Sequence, residues 1–301
     1  MSKIILKTVL LLFLCLCHSV ESFSSEQDLN LQSALEDRNY KKAIAIQRET
    51  IAKATPKEKG ELTYSLVLLY LKDQDQENAF QTFLEVLDQP QNSLRKNSTG
   101  NPCDQQLYEQ ALAIYLDTSS PSPQATAQRL LDKLGLMTQK DPLLDYFVAI
   151  SYANLGRYDL FIHYFHCAYQ SYPDHYLAFK TKAILHIKLL ERRRSEGERQ
   201  VQREAISDNL MQAMQREPND TTIYRMLIGF SQTEKKRERL RLCLNKILND
   251  NIIIPRGDIL FYVQEALDVG ETALAHQFVC RSSEWYPQSR IVSEAVKKIK
   301  G

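Results

Sequence analysis

The densest run of chemically capable side chains is HYFHC, residues 163–167. On a helix, His163, His166 and Cys167 fall on adjacent turns of one face, and His175 could come near as a fourth ligand. Two imidazoles and a thiolate suit zinc. A zinc site also needs partners that orient each imidazole, and the sequence offers none at a fixed offset. Histidine and cysteine sit on a partly buried helix for ordinary packing reasons, and the cluster is read that way: no metal and no cofactor is expected. Glycine-rich phosphate loops, nucleophile elbows and His-Glu-x-x-His pairs do not occur. The acidic residues show no spacing that commits two of them to acid–base work. The sequence points away from an enzyme.

Charge gives as little. Lysine plus arginine number 38 and aspartate plus glutamate 37, a net of +1, so no bulk field draws nucleic acid or membrane and recognition must be local. Nucleic acid is not an expected partner, since no aromatic platform interleaves the basic runs. At the start of the chain, Lys3 and Lys7 precede an apolar run from Val9 to Cys17. Polar HSVESFS follows, with Val20 and Ser22 suited to cleavage before Phe23. Residues 1–22 are read as a signal peptide, with a retained anchor as the alternative. The expected destination is export, to the periplasm or envelope if the source is bacterial. Cleavage removes Lys3, Lys7 and Glu21, leaving 38 − 2 = 36 basic against 37 − 1 = 36 acidic residues. Cys103, Cys167, Cys243 and Cys280 remain, widely scattered, and are read as free, buried, small apolar side chains.

The elements that carry these residues are helices. Glycines number only 9 and prolines 10, too few for a turn-rich β protein, while Leu, Ala, Glu, Lys and Arg are abundant. Val148, Ala149 and Tyr152 share one helical face, as do Phe161, Phe165 and Ala168. Between them Gly156 permits the tight turn that ends the first helix, so the two helices lie antiparallel. The pattern recurs around Gly270, with Tyr262, Val263 and Ala266 before it and Ala275, Val279, Ser282 and Pro287 after it. Leu227, Ile228, Leu240, Leu244 and Ile247 repeat it without a glycine. Leu66, Val67, Tyr70, Ala79, Phe83 and Val86 repeat it near the start.

Val148, Ala149, Tyr152, Gly156, Tyr158, Phe165, Ala168 and Pro173 together resemble a tetratricopeptide repeat. Asp145 and Phe161 depart from its pattern, the first replacing a large apolar residue and the second a small one. Pro218 and Pro287 stand 287 − 218 = 69 residues apart, about twice the family period. The resemblance implies an all-α, right-handed α-solenoid of about seven helix hairpins. The hairpins are placed at 26–56, 57–90, 103–141, 142–175, 176–220, 221–253 and 256–288, with a C-terminal capping helix at 289–300. The pair at 176–220 is enlarged, the excess placed in RRRSEGERQVQ, residues 192–202, between two helical runs. The polar stretch 88–102 contains the linker, 91–102, that divides residues 26–90 from the superhelix of 103–301.

The resemblance also implies a function. In that family the first helices of successive pairs line a concave face that binds a peptide or helix of another protein. By that rule the groove is lined by Tyr64 and Leu68, then Tyr146 and Ile150, then Lys180 and Ile184, then Arg225, then Leu260 and Gln264; Leu71, Leu143, Ile187 and Leu267 extend it. An apolar groove suits an amphipathic helix, with Lys180 and Arg225 placed to pair with carboxylates of the partner. A second surface is a basic edge, Arg192, Arg193 and Arg194 in 192–199 and Lys235, Lys236 and Arg237 in 234–241. It would dock an anionic membrane or envelope partner. Asn97-Ser-Thr and Asn219-Asp-Thr read as glycosylation acceptors in a eukaryotic secretory route.

Overall fold

The computed structural model describes residues 25–88, 110, 111, 113, 122–135, 142–193, 195–231 and 233–300. The expected leader at 1–22, the linker at 91–102, Cys103, Arg194 and the Asn97 acceptor lie outside the described residues. Fourteen α-helices and one 3-10 turn occur among the described residues, and no strand. The chain divides into two compact units, 1–86 and 87–301.

In the first unit, α1 (Ser25–Glu36), α2 (Tyr40–Lys53) and α3 (Pro56–Lys72) pack in succession. Helix α4 (Gln76–Asp88) follows, its Phe83 ring 6.3 Å from Tyr64 of α3. Helix α3 starts sharply because Thr55 and Glu58 form a reciprocal capping box ahead of Pro56. Helix α2 is fixed to α3 by Gln47, whose Nε2 donates to the Leu62 carbonyl at 3.0 Å. Its Arg48 also lies over the Tyr70 ring, 5.6 Å from the centroid.

The second unit comprises α5 (Pro123–Gly135), α6 (Asp145–Asn154), α7 (Tyr158–Ser171), α8 (Tyr176–Leu190), α9 (Glu196–Arg216), α10 (Thr221–Gly229), α11 (Thr233–Asn249), α12 (Ile259–Asp268), α13 (Thr272–Trp285) and α14 (Arg290–Lys300). Its substantial helix interfaces, among the described residues, join helices adjacent or next-but-one in the chain: α6 meets α7 and α8, α11 meets α13, and α12 meets α13 and α14. Each apolar stripe is therefore covered by its sequence neighbours. The core runs through Phe147, Phe161, Phe165, Leu185, Leu210, Tyr224, Leu244, Tyr262 and Phe278, all essentially inaccessible to water.

Five helix ends share one geometry. One follows α11, where Asn251 (φ 53°) precedes Ile252, whose N–H reaches the Ile247 carbonyl at 2.9 Å, and the other four are tight turns between consecutive helices. After α1, α3, α6 and α12 the chain passes through a left-handed residue: Arg38 (φ 54°), Gln74 (φ 62°), Gly156 (φ 71°) and Gly270 (φ 76°). In each, the next residue's N–H reaches back to a carbonyl of the last helical turn: Asn39 to Ala34 at 2.8 Å, Asp75 to Tyr70 at 2.9 Å, Arg157 to Tyr152 at 2.9 Å, and Glu271 to Ala266 at 2.8 Å. These are Schellman ends, which glycine suits best. Two of the four are invisible as glycines in the sequence. A β-carbon at Gly156 or Gly270 would meet nothing within 4 Å, so only backbone strain opposes it. Gly270→Ala should therefore cost about 1 kcal/mol and Gln74→Gly should gain up to about 1 kcal/mol, read from urea midpoints at unchanged slope.

Proline sets the other ends. Pro142, Pro173, Pro218 and Pro287 each stand three residues before the first residue of α6, α8, α10 and α14. Pro255, ahead of the 3-10 turn Arg256–Asp258 that leads into α12, divides the interval of 69 into 37 and 32. Tyrosine hydroxyls supply donors to carbonyls of these turns: Tyr146 to Tyr172 at 2.8 Å, Tyr224 to Pro218 at 2.8 Å and Tyr286 to Ile254 at 2.9 Å. The enlargement expected at 192–202 is part connection and part helix. Ser195 caps α9 through the Glu198 N–H, so residues 196–202 are its first turns, and α9 reaches 21 residues.

Candidate partner-binding face

The first helices of the second unit, α6, α8, α10 and α12, carry the side chains expected to face a partner. Most are interior. Tyr146 and Ile150 of α6 are buried, the Tyr146 ring lying 6.0 Å from Phe165. Ile184 of α8 is 8% exposed, and Lys180 is wholly buried. In the first unit, Tyr64 and Leu68 are half-buried.

Lys180 and Arg225 correct the sequence reading most. Both were expected to meet carboxylates of a partner, and both meet carboxylates of their own chain. Lys180 Nζ lies 2.5 Å from Asp220 Oδ2 and also hydrogen-bonds Thr222 Oγ1. Arg225 pairs with Asp258 and lies over the Phe261 ring, 5.2 Å from its centroid. The two acids occupy equivalent places. Asp220 is the N-cap of α10, accepting the Thr222 N–H at 3.1 Å, and Asp258 stands at the N-cap of α12. A cation on one first helix thus holds the acid at the start of the next. Burial pushes the Asp258 carboxyl up, and Arg225 only partly reverses this.

Asp220, Thr222 and Asp258 escaped the sequence reading, although an acid before an apolar helical run is an N-cap signal. Nothing in the sequence alone gave its distance from the preceding cation.

What remains at the surface is Arg225, half-buried Leu260 and Phe261, and half-buried Gln264. The Gln264 amide donates to Asp268 at 2.6 Å and accepts from Lys298 of α14 at 2.5 Å. These residues form a mixed aromatic and polar face on α10 and α12.

The basic edge is largely engaged. Arg192 lies over the Tyr158 ring and donates to the Lys188 carbonyl at 2.6 Å; Arg193 stands 3.6 Å from Glu198. Lys235 is 3.6 Å from Glu204 of α9, and Lys236 is 2.5 Å from Glu265 of α12. Arg237 and Arg241 share Glu271, and their hydrogen bonds hold its carboxyl below the usual range. The basic start of α11 ties hairpin to hairpin.

His163, His166 and Cys167 are partly buried and uncharged. Burial, aided by His163, lowers the His166 imidazole to about 4. Burial and nearby Asp145 push the Cys167 thiol up. Among the described residues no cluster of three His, Cys, Asp or Glu side chains is placed to hold a metal ion. Cys167, Cys243 and Cys280 carry free thiols, and Cys280 is exposed rather than buried as expected. No described helix is long and apolar enough to cross a membrane.

Comparison with protein-family models gives no match to this chain, and comparison with curated proteins gives none.

Proposed function

We propose that the protein is a non-catalytic binding scaffold, a right-handed α-solenoid of the tetratricopeptide type. It holds an amphipathic helical segment of a partner protein against the face of α10 and α12. The carrying observation is the repeated bridge, Lys180 to Asp220 and Arg225 to Asp258, by which α8 is pinned to the start of α10 and α10 to the start of α12. Packing confined to chain neighbours supports the same reading, because hairpins that cover only one another stack lengthwise. Leu260 and Phe261 supply apolar area, and Arg225 and Gln264 supply polar orientation. With the leader expected at 1–22, the scaffold acts after export. The basic edge offers an anionic surface less, since Lys236, Arg237 and Arg241 are engaged with Glu265 and Glu271.

A photo-crosslinking side chain at Gln264, compared with one at exposed Glu238 on α11, tests this face. A discrete adduct at 264, absent at 238 and removed by Leu260→Asp with helicity retained, is the expected result. Equal labelling at both positions, or none at 264 in the native extract, overturns the reading.

A further inference from the structure

One corner of the second unit is built differently from the others. Where a side chain caps a helix elsewhere among the described residues it does so through an oxygen that accepts a backbone N–H, as at Asn39, Ser195 and Asp220, while α7 and α13 begin on Arg157 and Glu271 with no side-chain cap. Helix α8 begins on a histidine. His175 Nδ1 accepts the Leu177 N–H at 3.3 Å. An imidazole accepts only through an unprotonated nitrogen, so this cap exists only while the ring is neutral, with its proton on Nε2. The ring is parallel to Tyr146 of α6 at 6.4 Å and lies 4.8 Å from the Tyr176 ring. Tyr146 in turn donates to the Tyr172 carbonyl. One side chain therefore links the start of α8, the α7–α8 turn and α6.

We propose that the α7–α8 corner is an acid-sensitive joint: protonation of His175 withdraws the acceptor that caps α8, frays its first turn and loosens the corner from α6.

The groups around the ring make the response one-directional. The phenols of Tyr146 and Tyr176 lie against it, and Tyr169 of α7 and exposed Asp174 stand close to Tyr146. Asp174 supplies a negative charge at the corner, but in solvent, where it is screened. Burial lowers His175 from its ordinary value to about 4. A folded value below the unfolded one means the cap is intact above about pH 6.5 and is lost progressively as pH falls toward 4. His163 and His166 on α7 and His186 on α8 are lowered by burial as well. Acid thus weakens both helices that meet at the corner. His186 Nδ1, 2.8 Å from Gln202 Oε1, is a donor in either state, so the α8–α9 contact persists while the α8 start gives way.

Residue-resolved hydrogen exchange on the full chain tests the joint, with the Ser195-capped Glu198 amide as the reference. Protection of the buried Leu177 amide should fall about fivefold relative to Glu198 between pH 7 and 4.5, the size of a lost N-cap. In His175→Asn, whose amide oxygen caps without titrating, only the smaller fall that comes from His163, His166 and His186 should remain. A Leu177 protection ratio in the wild type that does not change with pH overturns the proposal. So does an equal loss in His175→Asn.

Discussion

Asp220→Ala should destabilise the second unit by about 3–5 kcal/mol, more than any other single change to a charged residue here. The carboxylate is 1% exposed and its partner Lys180 fully buried. Truncation strands an ammonium in the interior, beside the neutral Thr222 hydroxyl. It also removes the acceptor for the Thr222 N–H, which by itself is a loss of about 1 kcal/mol. Asp220→Asn should fall between, keeping the cap and losing the charge. The informative comparison is Lys180→Met with Asp220→Asn. A buried ion pair replaced as a pair is often nearly neutral, since neither charge is then left unmatched. Chemical denaturation followed by far-ultraviolet circular dichroism checks this: a large fall in midpoint for the single variant and a small one for the double variant. If the single variant unfolds at the wild-type midpoint, the bridge contributes nothing and the pinning of successive first helices is wrong.

Phe165→Ala should cost a similar amount, about 3–5 kcal/mol, by a different route. The ring is wholly buried between α6 and α7, with Tyr146 and Phe161 at 6.0 Å and Tyr169 at 5.9 Å. Truncation loses the transfer of the ring from water and leaves a cavity lined by three rigid aromatics that collapse poorly. Phe165→Leu should cost far less. Phe179 is the control, half-buried under the Arg216 guanidinium at 4.1 Å; its truncation opens to solvent rather than into a void. Equal thermal shifts for Phe165→Ala and Phe179→Ala would show that the aromatic cluster is not the core of this hairpin.

The same numbers explain why a Tyr146→Ala and Ile184→Ala pair is a poor probe of binding. Both positions are interior, so loss of a partner would follow from loss of the fold. Leu260 and Gln264, half-buried on α12, separate the two effects.

Helical content and hairpin turns were legible because their causes are local. Apolar residues at helical spacing before and after Gly156 and Gly270 require two antiparallel helices, and φ values of 71° and 76° are what glycine permits. Arg38 and Gln74 make the same turn without the signal. Neighbouring helices impose it there, and the side chain tolerates a strain that no composition rule registers. The prolines, read in the sequence as a spacing ruler, stand three residues before helix starts, since a proline forbids the helix that would run through it. The excess in 192–202 was legible in place, and the N-cap at Ser195 followed by strong helix formers divides it into a short connection and the first turns of α9.

Outward and inward faces were not legible. On helices packed on both sides, periodicity gives one apolar stripe and says nothing of the second, so Tyr146, Ile150 and Ile184 read as groove and lie in the core. Lys180 is the sharpest case. A lysine is assigned to solvent by its type, and the acid 40 residues later, brought to 2.5 Å by tertiary packing, makes burial tolerable. Local conformational preference thus determined the helices and most of their ends. Which face each helix hides, and which charges are matched within the chain, depends on long-range proximity, and that was decided only when the hairpins packed.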